Sequence, residues 1–273
     1  TKICGMQAPR DGIAGPSKKR FPDIRLTSSW SDMNTPRKDI HNSNVPKLCQ
    51  SCEVRHKGMC GALNANELVD FARHTRVVKV SVGDVLLQEQ GSISSYANVM
   101  RGVLKLTKTM ADGRQQIVGL QFAPDFVGRL HQEESPVRVE ACSGVEVCSI
   151  TRAALRKMLE KNPALETKLL HQALREVDQG REWMLALGRK TAREKVASFL
   201  MMMVRQIDPF SGDNATTAFD LPLTRAEIGD FLGLTIGTVS RELTWLRRTG
   251  VIQISSHRHI DVLKLEALRQ YAG

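Results

Sequence analysis

The sequence predicts an α+β chain in three parts: an N-terminal double-stranded β-helix (jelly roll), a long helix suited to pairing, and a C-terminal winged helix-turn-helix domain. Three observations predict it. Between Val77 and Ile150, short apolar runs are broken by turn signals every ~8 to 12 residues, the rhythm of an antiparallel barrel or roll. A long segment opening at Asn162-Pro163 carries an apolar seam at heptad steps. Further on, two helical segments are joined by the glycine-containing turn Gly233-Leu234-Thr235, and two short alternating strands follow.

The elements are read in order. Residues 1–44 are polar, rich in Pro, Ser and Asn, and show no period, so a flexible leader is expected. The sensor part is expected over 45–160. Asn64 with Glu67 three residues later predicts a helix start over 64–75. The roll's turns are expected at Gly83-Asp84, Gly91-Ser92, Arg101-Gly102, Asp112-Gly113, Pro124-Asp125 and Ser143-Gly144. Asp112-Gly113 between two alternating runs is a strong hairpin signal. A short helix is expected over 151–160.

Asn162 as N-cap and Pro163 at the first helical position then open the long helix of the 161–188 segment, with Gly188 as its expected stop. Leu170, Leu174, Val177 and Met184 follow steps of four, three and seven, and the skipped heptad position is Arg181. Such a seam packs either on the chain's own core or on its copy in a dimer. Arg181 either weakens the pairing or snorkels outward.

The remaining part, 189–273, starts with a helix over Thr191–Gln206, with Val196, Phe199, Leu200 and Met203 on one face, and a loop over Asp208–Ala218. Thr224 and Glu227 form a capping box that opens the first helix of the motif. The second, Ile236 to Thr249, turns Val239, Leu243 and Leu246 inward and ends at Gly250. Val251–Ile254 and His259–Val262 read as a two-stranded wing. The outward N-terminal face of the second helix carries Gly237, Thr238, Ser240 and Arg241. Arg241 can donate twice to guanine, Ser240 can bond a base edge, and Thr238 or Arg225 can reach phosphates. Arg247 and Arg248 suit the DNA backbone or solvent.

Composition bounds the function. At 273 residues the chain has room for two domains. Its net charge of +10 is spread, at +4, +3 and +3 over residues 1–44, 45–186 and 187–273. That balance favours an anionic partner such as DNA only weakly. At 5% aromatic, stacking on single-stranded bases is not its main trade. No apolar run has the length of a membrane span or a signal peptide, so a cytoplasmic protein that does not enter a membrane is expected. No Ser/His/Asp set, His-rich site or phosphate loop emerges, which argues against an enzyme.

Six cysteines stand at 4, 49, 52, 60, 142 and 148. Cys49, Cys52 and Cys60 form C-x2-C-x7-C, in which two intervening residues let a pair of thiolates face one centre. Three thiolates lack one ligand of a zinc or iron–sulfur site, and Cys142 or Cys148 could supply it. Cys4 lies in the leader. A single C-x2-C pair with one distant partner favours iron–sulfur over zinc. If the cysteines held zinc or acted as thiols, the chain would be a cluster-free regulator.

The order of roll, long helix and winged helix-turn-helix over residues 45–270 resembles the CRP/FNR superfamily of transcription regulators. The cysteine run, the stretch Arg181–Lys195 and the stretch Leu221–Thr235 resemble its FNR-type oxygen sensors from proteobacteria. The resemblance implies a cyclic-nucleotide-binding-like roll and a 4Fe–4S cluster on Cys49, Cys52, Cys60 and Cys148, the last matching the position in the family's final barrel strand. It implies an oxygen-labile cluster of about −2 net charge; Lys47, Arg55, His56 and Lys57 either offset that charge or form a solvated basic loop. It also implies a DNA-binding homodimer on TTGAT-N4-ATCAA, activation of low-oxygen genes, and contact with RNA polymerase, for which the Asp112-Gly113 hairpin is a candidate.

Three departures stand out. The nucleotide cassette reads Phe126-Val-Gly128-Arg129-Leu130, with Arg129 where cyclic-nucleotide relatives keep a carboxylate, so no cyclic nucleotide is expected. Gly237 replaces the glutamate of the FNR-type reading helix. Arg181 lies near where the family's best-known member has an acidic residue in its dimer seam.

Overall fold

The computed structural model describes residues 45–50, 52–207, 217–256 and 258–273. The expected leader over 1–44, with Cys4, and most of the expected loop over Asp208–Ala218 lie outside the described residues.

The roll is built from two four-stranded antiparallel sheets. One has the order β1 (Thr75–Val80), β8 (Val145–Thr151), β3 (Ser95–Arg101), β6 (Phe126–Val127). The other has the order β2 (Val85–Leu87), β7 (Arg138–Ala141), β4 (Leu104–Thr109), β5 (Gln115–Gln121). The fold class is the one expected, and the glycines of the predicted turns Gly83, Gly102 and Gly113 all have positive φ. The β4–β5 hairpin closes where Asp112-Gly113 placed it, with Met110 and Arg114 joined across the turn.

Side chains alternate along β3 and so divide two cores. Ala97 and Val99 point inward with Val127, Val145 and Val147 and meet Leu104 and Val139 of the second sheet. Tyr96 points outward with Phe126 and Ile150. That outer face is covered by the cysteine segment, by α2 (Ala65–Arg73), by α3 (Arg152–Lys161) and by the first turns of α4 (Pro163–Arg189), which contribute Phe71, Leu155, Leu165 and Leu169. Each such side chain, fully buried, stabilises the fold by about 1.5 to 3 kcal/mol. Asn64 caps α2 in a complete capping box with Glu67, and Asn162 caps α4 through the backbone N–H of Leu165.

The long helix runs through Gly188 instead of stopping there. Gly188 keeps a negative φ, and the chain turns extended only at Lys190, whose N–H still reaches Ala186. The stop comes from the next helix: Thr191 and Glu194 form the capping box of α5 (Ala192–Gln206). Val196, Phe199, Leu200 and Met203 of α5 are buried, as their spacing predicts.

The wing has a strand that the sequence reading missed. β9 (Ala218–Asp220) pairs with β11 (His259–Val262), which pairs with β10 (Ile252–Ile254), giving three strands in place of two. Three residues are too short for a legible alternation. The closing helix α8 (Leu265–Ala272) was also missed; it packs on α5, and Leu268 is fully buried.

Candidate metal centre and nucleic-acid interface

Cys49 sits on α1 (Lys47–Gln50), Cys52 follows it, and Cys60 lies in a 3-10 turn over Met59–Ala62. Between them the chain folds back tightly: the N–H of Arg55 reaches the Cys52 carbonyl, and the N–H of Gly58 reaches that of Val54 at 2.9 Å. The folded loop lies on the outer face of the roll, over β8. There Cys148 stands opposite Val77 of β1 and Asn98 of β3.

The four sulfurs share one electrostatic environment. Burial, then the charges of Cys148, Cys52 and Cys49, push the Cys60 thiol well up. Burial raises Cys148 to about 11, helped by Cys52 and Cys49 and opposed by a hydrogen bond from Thr75. Cys49 and Cys52 are also raised, mainly by burial, and Arg55 pulls both back. Arg55 is buried, so it is not part of a solvated basic loop, whereas His56 is exposed.

Cys142 is elsewhere. It follows β7 in the turn before β8, donates its N–H to Val103, and belongs to the core shared with the C-terminal domain. Burial raises its thiol to about 12, with Lys105, Glu227 and Glu140 as its charged neighbours. Of the two cysteines that could join the trio, the fold brings Cys148 to it and not Cys142.

α4 joins this region to the rest of the chain. Leu165 and Leu169 pack into the core beneath the cysteine loop. The opposite side of the helix is bare: Leu170, Leu174, Val177 and Met184 are 58%, 54%, 47% and 73% exposed. Core packing in this chain therefore does not account for the seam. Arg181 is exposed within it and pairs with Asp178 at 2.9 Å. Trp183, which the sequence reading did not single out, stacks edge-on against Phe231 at 4.5 Å between ring centres and so ties α4 to the C-terminal domain.

The second site is the helix pair α6 (Arg225–Leu232) and α7 (Ile236–Arg248). Thr224 and Glu227 cap α6 reciprocally. Gly233 ends it in the left-handed region, at φ 63°, which glycine adopts without strain. Gly229 is required by space: a Cβ there would stand 2.5 Å from the Leu234 carbonyl oxygen. Thr235 caps α7 through the N–H of Thr238, while Val239, Leu243 and Leu246 are buried.

That packing turns the start of α7 outward. Arg241 is exposed and donates to Thr238 Oγ1 at 2.9 Å, so its guanidinium lies over the first turn of the helix. Gly237 and Ser240 on the same helix, and Arg225 at the start of α6, are partly exposed. The other side of α7 is held by Arg193 of α5, which stacks 3.6 Å over the Trp245 ring and pairs with Glu242 at 3.0 Å. An exposed arginine at the start of a helix with a buried opposite face is the arrangement that reads a major groove.

Comparison with known proteins gives this geometry its relatives. Residues 194–271 match the Crp-like helix-turn-helix domain family and residues 77–162 the cyclic nucleotide-binding domain family. A probable transcriptional activator of Rhizobium leguminosarum bv. viciae is 48% identical over 238 residues, 87% of this chain and 98% of that protein. The chain belongs to the CRP/FNR superfamily. The transcriptional activator protein FnrL of Cereibacter sphaeroides is 38% identical over 82% of this chain and 92% of its own length. Among solved structures, FixK2 from Bradyrhizobium japonicum superposes with a TM-score of 0.66 at 28% identity, over 73% of this chain and 98% of that one. This CRP/FNR member is a DNA-binding transcription regulator, not an enzyme. No described helix is long and apolar enough to cross a membrane.

Proposed function

We propose that this CRP/FNR protein is an oxygen-responsive transcription activator. In this reading Cys49, Cys52, Cys60 and Cys148 hold a 4Fe–4S cluster, α4 pairs with its copy, and α7 of each copy reads one half of a palindrome.

The observation that carries the reading is the convergence of those four cysteines on the outer face of the roll, against the first turns of α4. Four cysteine thiolates are the ligand set that a 4Fe–4S cluster takes, and the fold gathers Cys49, Cys52, Cys60 and Cys148 into one buried environment. When bound, such a cluster supplies an oxygen-labile redox centre.

The chain's own residues do the rest. Four sulfurs held as thiolates repel one another, and buried Arg55 offsets part of that charge. A loop fixed on the sulfurs presses on Leu165 and Leu169, one face of α4. The other face of the same helix is the exposed seam, so the loop's order and the pairing surface share one rigid element. Arg241, Ser240 and Thr238 then meet bases and phosphates, and Arg225 meets phosphate. The relatives' descriptions as transcriptional activators support activation. The Asp112-Gly113 hairpin, exposed at the tip of β4–β5, is the proposed contact for RNA polymerase. A cytoplasmic location follows from this role.

The test is iron, acid-labile sulfide and the visible spectrum of protein purified without air, followed by exposure to oxygen. About four of each per chain, with absorbance lost in air and tighter operator binding by the loaded form, is the expected result. Colourless protein after anaerobic reconstitution would overturn the cluster and leave a regulator whose cysteines hold zinc or act as thiols.

A further inference from the structure

We propose that Asn98 is a positioning residue for the sulfur site: its carboxamide N–H donates to the sulfur of Cys60 and holds that ligand's charge in place. The inference rests on the cluster reading above and deepens it.

Asn98 is the polar exception on an apolar surface. Along β3 it shares the outer face with Tyr96, and its cross-strand neighbours are Phe126 on β6 and Cys148 on β8. It is 4% exposed. Its Nδ2 lies 3.9 Å from Cys60 Sγ, and its Oδ1 is buried without a hydrogen-bond partner. A side chain in that position gives up its hydration for one contact to sulfur.

A neutral thiol is a poor acceptor, so with free thiols the amide is badly placed. A thiolate bound to iron carries negative charge, and the same N–H then makes a charge-assisted bond. Hydrogen bonds to cluster sulfurs are also a means by which proteins set a cluster's potential. Asn98 is therefore unfavourable in the metal-free chain and favourable in the loaded one. Ordinary core packing does not call for a residue with those two properties.

The experiment compares full-length wild type with Asn98→Leu, Asn98→Asp and Asn98→Gln, each loaded without air. Leu has similar volume and no donor, Asp has no donor and adds charge, and Gln keeps the donor. A bond to sulfur stabilises the more reduced, more negative cluster. Asn98→Leu should therefore lower the midpoint potential, by about a tenfold change in the one-electron equilibrium constant, or about 59 mV. Asn98→Asp should lower it further, and Asn98→Gln should stay nearest to wild type. The iron–thiolate stretching frequency by resonance Raman should rise in Asn98→Leu as the sulfur's electron density returns to iron.

Metal-free Asn98→Leu should melt no lower than metal-free wild type, since it removes an unpaired buried oxygen. A folded Asn98→Leu that fails to load also supports the role. Unchanged potential and Raman frequency in loaded Asn98→Leu, or a lower metal-free melting temperature with unchanged potential, would overturn it and leave the cluster reading intact. Wild type that binds no iron would overturn both.

Discussion

Lys105 Nζ on β4 lies 2.6 Å from Glu227 Oε1 on α6, so one ammonium ties the roll to the first helix of the DNA-reading motif. The same nitrogen is 2.8 Å from Glu140 Oε1 on β7. Glu227 also closes the capping box on Thr224, which means a single carboxylate both starts α6 and anchors it. These side chains are mostly buried, at 14% exposed for Lys105, 18% for Glu140 and 25% for Glu227.

Removing the tie should loosen the C-terminal domain from the roll. Lys105→Met should cost about 1 to 3 kcal/mol, because it leaves two half-buried carboxylates facing each other. Burial pushes the carboxyls of Glu227 and Glu140 up, but the bonds from Lys105, with Thr224 for Glu227 and Arg138 for Glu140, outweigh it and both end lowered. Their contribution is therefore full above the ordinary glutamate value and lost as pH falls through the lowered ones. The Lys105 amine is raised: burial lowers it, yet both glutamates outweigh that, so its share fades only as pH climbs through its raised value. Urea unfolding from pH 3 to 7 should show an acid-side loss of stability that shrinks in Lys105→Met.

The exposed seam of α4 predicts its own disruption. Leu174→Glu should shift the protein to monomer in sedimentation velocity, while the roll and the helix-turn-helix keep their circular dichroism. Arg181→Leu should tighten pairing by removing a charge from the same stripe. An unchanged monomer–dimer equilibrium in Arg181→Leu would remove any tuning role for that residue.

Gly237 predicts relaxed reading at one base pair of each half-site. A Cβ there would stand 3.7 Å from Arg241 Nη1 and 3.9 Å from Thr235 Oγ1, ordinary contacts, so a larger residue fits. Gly237→Glu should restore an acceptor for cytosine N4 and add about 1 to 3 kcal/mol of discrimination at that pair. Binding to operators altered at that pair reads this directly, and full discrimination by wild type would refute it. Arg241→Ala should lose a comparable amount against guanine.

Gly229→Ala should disturb the motif from within. Its methyl group would be driven into the Leu234 carbonyl, and overpacking of this kind costs about 1 to 3 kcal/mol. Reduced thermal stability with weakened operator binding is the expected pair of results.

In the wing, His259 Nδ1 is 2.7 Å from Asp220 Oδ1, and Nε2 is 3.4 Å from Asp261 Oδ1. The hydrogen bond to Asp220, then the charge of Asp261, raise the imidazole above its ordinary 6.5. The pairing is complete below that value and is lost as pH rises through the raised one. A proton NMR titration should place the His259 midpoint above 6.5 in wild type and nearer to it in Asp220→Asn.

Much of the molecule was legible because its signals are local. Asn64 with Glu67, Thr224 with Glu227, and Gly233 each act within a few residues, so the helix starts and the turn of the motif could be read off the chain. The turns at Gly83, Gly102 and Gly113 were legible for the same reason, since a glycine at positive φ needs no distant partner. Gly188 misled because a glycine marks a helix stop only when the backbone there turns left-handed, and the next helix's cap at Thr191 decided otherwise. β9 and α8 were missed because short elements borrow their order from the partners they pack on.

The sequence by itself determined the order of roll, helix and reader, and it determined the Cys49, Cys52, Cys60 run and the face that carries Arg241. Spacing left Cys142 and Cys148 both open and the family resemblance named Cys148; the tertiary structure brought Cys148 to that run, and it alone decided that Arg55 is buried beside it, that Asn98 points at Cys60, and that Lys105 holds Glu227. Each of these is a contact between residues far apart in the chain. Strand pairing and the alternation of the pleat set them: they turn Cys148 and Asn98 to one face of a sheet, while Cys142, in a turn, goes to another core.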